Sequence, residues 1–366
     1  MAKIGIITDK CSNYNNMYPH LREAQVWMRA LIKDSHDVHL LFPTFSDAMW
    51  KKFHGGMKDR FQEWFQDGVG IKPTYWEKKE ENLDVLIVVG IPWIHAFNYE
   101  VIDYIKEYSE KVTEIIWMVF DYEMYANQKS LLYNIISKDN PEVFKKIKCV
   151  ITTDPTLKST INKPHYHMPH LYDPFWEIPI KPKSERKLLS RFVGPIGFRK
   201  AIADILPILD KLGEEVELRS EFWGENFAKK YRDVQFTFEG KSYKTIDVKG
   251  ERVFLPYNDY LKFCSNSIIT LHDSYPPGWL KNKYDIALWF SGKINDAYYS
   301  GVLPFSSPYL GEQTHWGNIT DLTRFYKINT MNNDGFKYQV EYYRNEHNKV
   351  YGIDTWYPKI KEWFGI

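Results

Sequence analysis

Short apolar runs alternate with amphipathic stretches along most of this chain. Lys3–Thr8 (KIGIIT) is brief, apolar and rich in Ile, the pattern of a strand covered on both faces in a parallel sheet. A polar loop, Asp9–Asn16, follows it. Tyr18–Ile32 then places Leu21, Ala24, Trp27, Met28 and Leu31 at helical spacing, and Asp37–Phe42 (DVHLLF) is again strand-like. Strand, helix, strand predicts the right-handed unit of an open α/β sheet.

Pro43–Asn82 breaks the alternation. It is rich in Trp, Phe, Lys and Gly and longer than an ordinary connection, so it reads as an insertion, with helix expected at Ser46–Phe53 and Met57–Phe65. The alternation resumes with strands at Asp84–Gly90, Glu114–Phe120 and Lys148–Thr152, and helices at Tyr99–Tyr108 and Lys129–Ser137. Prolines at 164, 169, 174, 179 and 182 then stop helices and stiffen the chain, which marks a domain boundary. Beyond it the pattern starts again. Strands are predicted at Lys187–Val193, Glu215–Arg219, Ser267–His272 and Val302–Ser306, and helices at Lys200–Leu212, Tyr260–Cys264 and Ile286–Tyr299.

The order predicts two successive Rossmann-like α/β domains, residues 1–172 and 173–344. Gln339–Phe364 reads as a polar-aromatic helix or helix pair. Its last part, 345–366, is assigned back to the first domain, because Trp356, Tyr357, Ile360 and Trp363 make an apolar face at helical spacing.

Composition narrows the function classes. With 44% hydrophobic and 26% charged residues the chain is globular rather than disordered. A net charge of +1 gives no global pull toward nucleic acid, so any such contact needs local patches. Cys11, Cys149 and Cys264 are odd in number and far apart, which argues against a disulfide framework, and no CxxC suggests zinc. The opening MAKIGIITD lacks signal-peptide architecture and no apolar run reaches membrane-spanning length, so a protein of a reducing compartment is expected.

In open α/β domains ligands bind beyond the carboxyl ends of strands, and in a two-domain protein the cleft between domains is the expected site. The residues at predicted strand ends are therefore the candidates. The first loop offers Asn13 among other polar groups, and the third strand runs into Gly90-Ile-Pro-Trp93. Asp121 and Glu123 follow the fourth, where a carboxylate serves either as general base or as a helix cap. Gly194-Pro-Ile-Gly197-Phe-Arg199-Lys200 opens a helix, and His272-Asp273-Ser274 closes the strand SIITLH. Glycines admit a ligand to the backbone and a helix N-terminus favours anions, so the first of these turns suits a diphosphate. It is neither GxxxxGK[ST] nor GxGxxG, and an ordinary turn with a solvated basic pair has the same letters. Lys293 and Asp296 precede the strand VLPFS. An acid there can accept two ribose hydroxyls beside a cation for the diphosphate, or both can lie on a solvated helix face.

The ordered set of motifs resembles the phage DNA β-glucosyltransferases, GT-B enzymes that glycosylate hydroxymethylated bases. The likeness runs over nearly the whole chain: MAKIGIITDKCSNYNNMYPH at the start, DVLIVVGIPW and IIWMVFDYE at strand ends, KLLSRFVGPIGFRKA at the second domain's turn, FWGENFAKKYRDVQF in a basic connection, and INDAYYSGVLPF at the nucleotide cradle. The resemblance implies two Rossmann-like domains with the active site between them. It implies inverting transfer from a UDP-sugar to the hydroxymethyl group of a modified pyrimidine in DNA, 5-hydroxymethylcytosine first. Asp121 would be the base. Gly194, Gly197, Arg199, Lys200, Lys293 and Asp296 would bind the donor, with Lys293 standing where that family tends to have arginine and Asp296 where it usually has Glu.

Asn13, Trp93, Glu123, Lys229 and Lys230 fall to the acceptor side. Basic clusters interleaved with aromatics supply phosphate-tracking surface: Lys51, Lys52, Lys58 and Arg60; Lys229, Lys230 and Arg232; Lys241, Lys244, Lys249 and Arg252. No tightly bound metal is expected, with a divalent cation in a stimulatory role only. A monomer in the cytoplasm of an infected cell, acting on double-stranded DNA, completes the expectation. The alternatives are a GT-B enzyme with a glycan or small-molecule acceptor, and a non-catalytic nucleotide-sugar or DNA-binding module.

Overall fold

The structure is a computed structural model that describes residues 1–8, 17–42, 74–75, 82–89, 105–119, 140–152, 162–193, 216–219, 235–238, 241–244, 257–272, 292–306, 317–318 and 322–366. The chain forms two compact units. The first comprises Met1–Leu171 with Ile353–Ile366, and the second Tyr172–Gly352.

The first unit is built on seven strands: β1 (Lys3–Thr8), β2 (Asp37–Phe42), β3 (Thr74–Tyr75), β4 (Val85–Val89), β5 (Glu114–Val119), β6 (Ile147–Thr152) and β7 (His165–His167). Their order is β3-β2-β1-β4-β5-β6-β7, and every neighbouring pair is parallel. The continuous apolar runs follow from this placement, since a central parallel strand has no solvent face. All five residues of β4 are buried, and Ile4, Ile6 and Ile7 of β1 are fully so. Helices α1 (Met17–Lys33) and α2 (Pro141–Lys146) connect strands in sequence. Chain order reverses between β1 and β4, the switch point of this sheet.

Two of these strands departed from expectation. Thr74–Tyr75 in the long insertion adds to the sheet beside β2, and His165–His167 in the proline-rich stretch becomes its far edge. An edge strand needs no apolar run, so neither carried the periodicity that marks the others.

The second unit has a five-stranded parallel sheet and a separate hairpin. In chain order the strands are β8 (Leu188–Val193), β9 (Val216–Arg219), the hairpin strands β10 (Gln235–Phe238) and β11 (Lys241–Lys244), then β12 (Ser267–His272), β13 (Leu303–Ser306) and β14 (Gly317–Asn318). The sheet order is β14-β13-β12-β8-β9, which puts the switch point between β8 and β12. In the antiparallel hairpin Phe236 pairs with Tyr243 and Gln235 with Lys244. Helices α3 (Tyr257–Cys264), α4 (Lys293–Tyr299), α5 (Leu322–Thr330) and α6 (Asn333–Tyr351) complete the unit. At its two ends the backbone runs side by side: Tyr172 N–H donates to the Tyr351 carbonyl at 2.8 Å, and Tyr172 bridges Gly352.

Of the two readings of Gln339–Phe364, the structure has the helix pair, so the segment 345–366 is not one continuous helix. It breaks at Gly352, where the backbone turns extended (φ −63°, ψ 143°) and a Cβ would collide with the Asn348 carbonyl. The part before the break is the end of α6 in the second unit. The part after it, α7 (Ile353–Phe364), belongs to the first. There the Phe364 ring stacks on fully buried Trp27 at 5.0 Å, and Trp363 stacks on Tyr166 of β7 at 4.7 Å. Lys148 Nζ holds the end of α7 through the Phe364 carbonyl (2.8 Å) and also pairs with Glu114 (2.7 Å).

Lys361 of α7 reaches Asp34 at 2.7 Å, and the Tyr357 hydroxyl donates to the same carboxylate at 3.2 Å. The Lys361 hydrogen bond foremost, with Tyr357 and His36 adding to it, holds the Asp34 carboxyl below its ordinary value of 3.8. A carboxylate depressed on folding stabilises the folded state above its ordinary pKa and loses that contribution as pH falls through the lowered one. Protection of the α7 amides from hydrogen exchange should therefore fall below about pH 4, and Asp34→Asn should flatten that decline. Protection factors measured between pH 3 and 6 decide this; a level wild-type profile contradicts it.

Candidate active site

The carboxyl edge of the second sheet is where its switch point opens. Thr270 of β12 pairs with Arg191 of β8, and His272, the last residue of β12, pairs with Ser306 of β13. His272 is buried, and its Nε2 lies 2.8 Å from the Thr270 hydroxyl two residues earlier on the same strand face. That hydrogen bond fixes the imidazole at the strand end. β8 ends at Val193 on this edge, and the sequence GPIGFRK that follows it lies outside the described residues.

Helix α4 joins β12 to β13, which are parallel neighbours. A crossover helix returns antiparallel to its strands, so the first turn of α4 lies toward the carboxyl edge. Lys293 and Asp296 occupy that turn, three residues apart and on one side of the helix. Lys293 is half-buried and Asp296 buried. An acidic group in a first turn also interacts favourably with the helix dipole. At 100° per residue, Asn295 and Tyr298 fall away from that side, while Tyr299 ends the helix three residues after Asp296.

The other side and the end of the helix are gripped by the rest of the unit. The Asn295 amide oxygen accepts from His347 Nε2 of α6 at 2.8 Å. Arg344, one turn earlier on α6, sends Nε to the Tyr298 carbonyl at 2.7 Å and Nη2 to the Tyr299 and Ile178 carbonyls at 3.0 Å. Its Nη1 lies 3.4 Å from Glu177, whose other oxygen accepts from the Tyr172 hydroxyl at 2.8 Å. The Tyr172 ring stacks on Tyr299 at 4.6 Å, and burial pushes its phenol well above the ordinary value. The Tyr299 hydroxyl in turn accepts from Asp173 N–H at 2.9 Å. A cation at the last carbonyls of a helix answers both their lost hydrogen bonds and the helix dipole.

The turn after α4 is equally determined. Gly301 has φ +66° and donates to the Tyr298 carbonyl (3.0 Å), while Val302 N–H reaches back to Ala297 (2.9 Å). These two bonds make a Schellman cap, which stops the helix and starts β13. Arg186 fixes the outside of the turn, donating to the Gly301, Ser267 and Lys181 carbonyls with its face over the Phe336 ring. Burial foremost, with the Arg344 charge, lowers its pKa to about 9, so it stays a cation at neutral pH.

Of the residues singled out in the sequence, the structure places Lys293 and Asp296 together on one turn. Asn13, Trp93, Asp121, Glu123, Gly194, Gly197, Arg199, Lys200, Lys229 and Lys230 lie outside the described residues. The strands that lead to several of them are described: β5 ends at Val119, two residues before Asp121, and β4 at Val89, four before Trp93. Lys241 and Lys244 fall on the β10–β11 hairpin. Among the described residues no group of three or more His, Cys, Asp or Glu side chains could hold a metal ion, and no helix is long and apolar enough to cross a membrane.

The sequence did not single out Arg344, His347, Glu177 or Asn295. EYYRNEHNKVY lies in the stretch read as a polar-aromatic helix or helix pair, and only the packing shows that Arg344 and His347 are buried. It marked His272 as a polar strand end without a role.

No protein-family model matches the chain, and no curated protein matches it in sequence. Solved structures do match in shape. One is an alpha-glucosyltransferase in complex with UDP and a 13-mer DNA containing a central A:G mismatch, with TM-score 0.62 and 12% identity over 99% of this chain and 98% of that one. Another is the DNA-modifying enzyme beta-glucosyltransferase, in the presence and absence of uridine diphosphoglucose, with TM-score 0.57 and 12% identity over the full length of both. The T4 phage beta-glucosyltransferase with UDP and Mn²⁺ gives TM-score 0.57 and 13% identity, again over the full length of both. The shared feature is the fold: two open, parallel α/β domains of the GT-B type.

Gly301→Ala tests the turn behind this site. A side chain at φ +66° carries the left-handed cost of about 1–2 kcal/mol, and its Cβ would meet Ile180 at 3.3 Å and Arg344 Nη2 at 3.4 Å. Urea unfolding should show a loss of at least that size in the second unit. A midpoint equal to wild type would mean that the turn tolerates any residue.

Proposed function

We propose that this chain is an inverting glycosyltransferase that moves a sugar from a UDP-sugar to the hydroxymethyl group of a modified pyrimidine in DNA, 5-hydroxymethylcytosine first among the acceptors. The observation that carries the reading is the Lys293/Asp296 turn, held at the carboxyl edge of a parallel sheet whose strand β8 ends immediately before the sequence GPIGFRK. A nucleoside diphosphate asks for a carboxylate at the ribose hydroxyls and cations with backbone N–H groups at the phosphates. Support comes also from the likeness of the whole chain to two glucosyltransferases, one in complex with UDP and DNA and the other a DNA-modifying enzyme.

In this reading Asp296 accepts from the ribose hydroxyls. Lys293, Arg199, Lys200 and the backbone at Gly194 and Gly197 meet the diphosphate. Asp121, just past β5 of the first unit, takes the proton of the acceptor hydroxyl as its oxygen attacks the anomeric carbon. The bond from that carbon to the β-phosphate oxygen breaks, and its electrons leave with UDP. The anomeric centre gains oxocarbenium character, and the cationic turn stabilises the charge that builds on the diphosphate. A divalent cation, present with UDP in one neighbour, would supply positive charge to the departing diphosphate in a stimulatory role.

Asn13, Trp93 and Glu123 are assigned to the acceptor, and Lys229 and Lys230 to its phosphates. A monomer acting on phage DNA in an infected cell, where added sugars block host nucleases, fits this chemistry.

The decisive experiment incubates the protein with hydroxymethylcytosine DNA and a panel of UDP-sugars, followed by nucleoside mass spectrometry. A glycosylated nucleoside is expected. Turnover only with a glycan or small alcohol would reassign the acceptor, and UDP binding without any turnover would make the chain a binding module.

Two variants test the roles. Asp296→Ala should weaken UDP by about tenfold to a hundredfold, the worth of a charge-assisted hydrogen bond. Asp121→Asn should lower kcat by about 10²–10⁴ with little change in UDP or DNA affinity. Glu123→Gln in parallel shows which carboxylate acts: collapse of the second variant with a near-normal first moves the role to Glu123.

A further inference from the structure

We infer that Arg344 and His347 of α6 are positioning residues that set the placement of the donor-binding turn, an assignment that rests on the reading of Lys293 and Asp296 given above. The two sides of α4 divide the labour. Lys293 and Asp296 lie on one side. Every named bond from α6 goes to the other side or to the helix's last carbonyls: His347 to Asn295, Arg344 to Tyr298 and Tyr299.

A helix of seven residues has little stability of its own. Its first and last turns nearly meet, so most of its backbone groups need partners from outside. Where α4 sits along its axis is set by whatever holds its carbonyl end, and how it is rotated is set by whatever holds its side. Arg344 does the first, together with the Ile178 N–H, which donates to the Tyr299 carbonyl at 2.9 Å. Arg344 takes two carbonyls of α4 and a third from Ile178, so the helix end is fixed to the segment that leads into β8. His347 does the second. It lies on α6 one turn from Arg344 and holds Asn295, the residue immediately before Asp296. A rotation of α4 that moved Asp296 would have to break the His347–Asn295 bond. A shift along its axis would have to break the Arg344 bonds.

Both side chains are buried, so neither is available to a substrate. Their effect on the reaction must pass through α4. A carboxylate that meets two vicinal hydroxyls works over a narrow range of positions, and displacements near 1 Å cost up to about a hundredfold.

The test measures UDP affinity by calorimetry, with a double-mutant cycle against Asp296. Arg344→Lys keeps the charge but cannot span three carbonyls in one plane. His347→Leu removes the bond to Asn295, and His347→Gln restores a donor at similar reach. Arg344→Lys and His347→Leu should each weaken UDP by about tenfold to a hundredfold while kcat at saturating donor stays within about threefold. His347→Gln should recover most of the loss. In the Asp296→Ala background both substitutions should become nearly silent, because they act through that residue.

UDP affinity equal to wild type in both variants overturns the inference. So do losses that add in full to that of Asp296→Ala, since they reflect general damage. Circular dichroism checks the fold. If Arg344→Lys fails to fold, the His347→Leu and His347→Gln pair decides the matter alone, and failure of all three to fold makes the role purely structural. If Asp296→Ala binds UDP as wild type does, the donor reading itself has failed, and the positioning role falls with it.

Discussion

A guanidinium removed from water has to find its hydrogen bonds in the protein, or the fold bears the cost of an unsolvated charge. Arg344 finds them on carbonyls that come from different parts of the second unit: Ile178 from the segment that enters it, and Tyr298 and Tyr299 from the end of α4. Two of these carbonyls also accept a backbone N–H, Tyr298 from Gly301 at 3.0 Å and Tyr299 from Ile178 at 2.9 Å, so the guanidinium joins bonds that already close the helix end. One side chain therefore settles a helix terminus, an entry segment and the long helix α6 that carries it. Glu177 and Tyr172 extend the arrangement by a further carboxylate and hydroxyl. Arg186 repeats the device a few residues away on the Gly301, Ser267 and Lys181 carbonyls. The turn bearing Lys293 and Asp296 is placed by irregular backbone whose hydrogen bonds arginines complete.

Much of the sheet architecture could be read directly from the residues, for a physical reason. Central parallel strands are covered on both faces, so β1 and β12 appear as largely apolar runs, and their limits and those of β2 agree with those expected. Strands without that double cover left no such trace. His165–His167 is an edge strand of alternating ring residues, and β10 and β11 pair with each other outside the main sheet. The C-terminal helix pair shows the limit of helical spacing as a guide: the apolar face of Trp356, Ile360 and Trp363 is real and a pair was one of the two readings, but periodicity does not say where the break falls.

The candidate site divides along the same line. Lys293 and Asp296 could be picked out because a charged pair three residues apart, just before a buried strand, is a local pattern. Arg344 and His347 could not. They sit in one of the most polar helices of the chain, and what distinguishes them from Lys337, Glu341 or Lys349 is burial, which depends on tertiary packing alone. About one residue in eight is shared with the proteins of similar fold. Parallel α/β sheets tolerate such divergence, because they require apolar runs of the right length and not particular side chains.

The return of α7 to the first unit bears on how the chain is made. Trp27 lies in the first connection of the first sheet, yet the ring stacked on it, Phe364, is translated only after all of the second unit. During synthesis Trp27 of the first unit lacks its ring partner, and Lys148 has Glu114 but not the Phe364 carbonyl, until the segment after Tyr172–Gly352 has been made. The inserted unit can complete its core first, and the unit that begins the chain completes its own last. Vectorial folding from the N-terminus, the usual order for successive domains, is thereby reversed for the closing step. Until α7 docks, the nascent protein has an apolar patch that a chaperone would recognise.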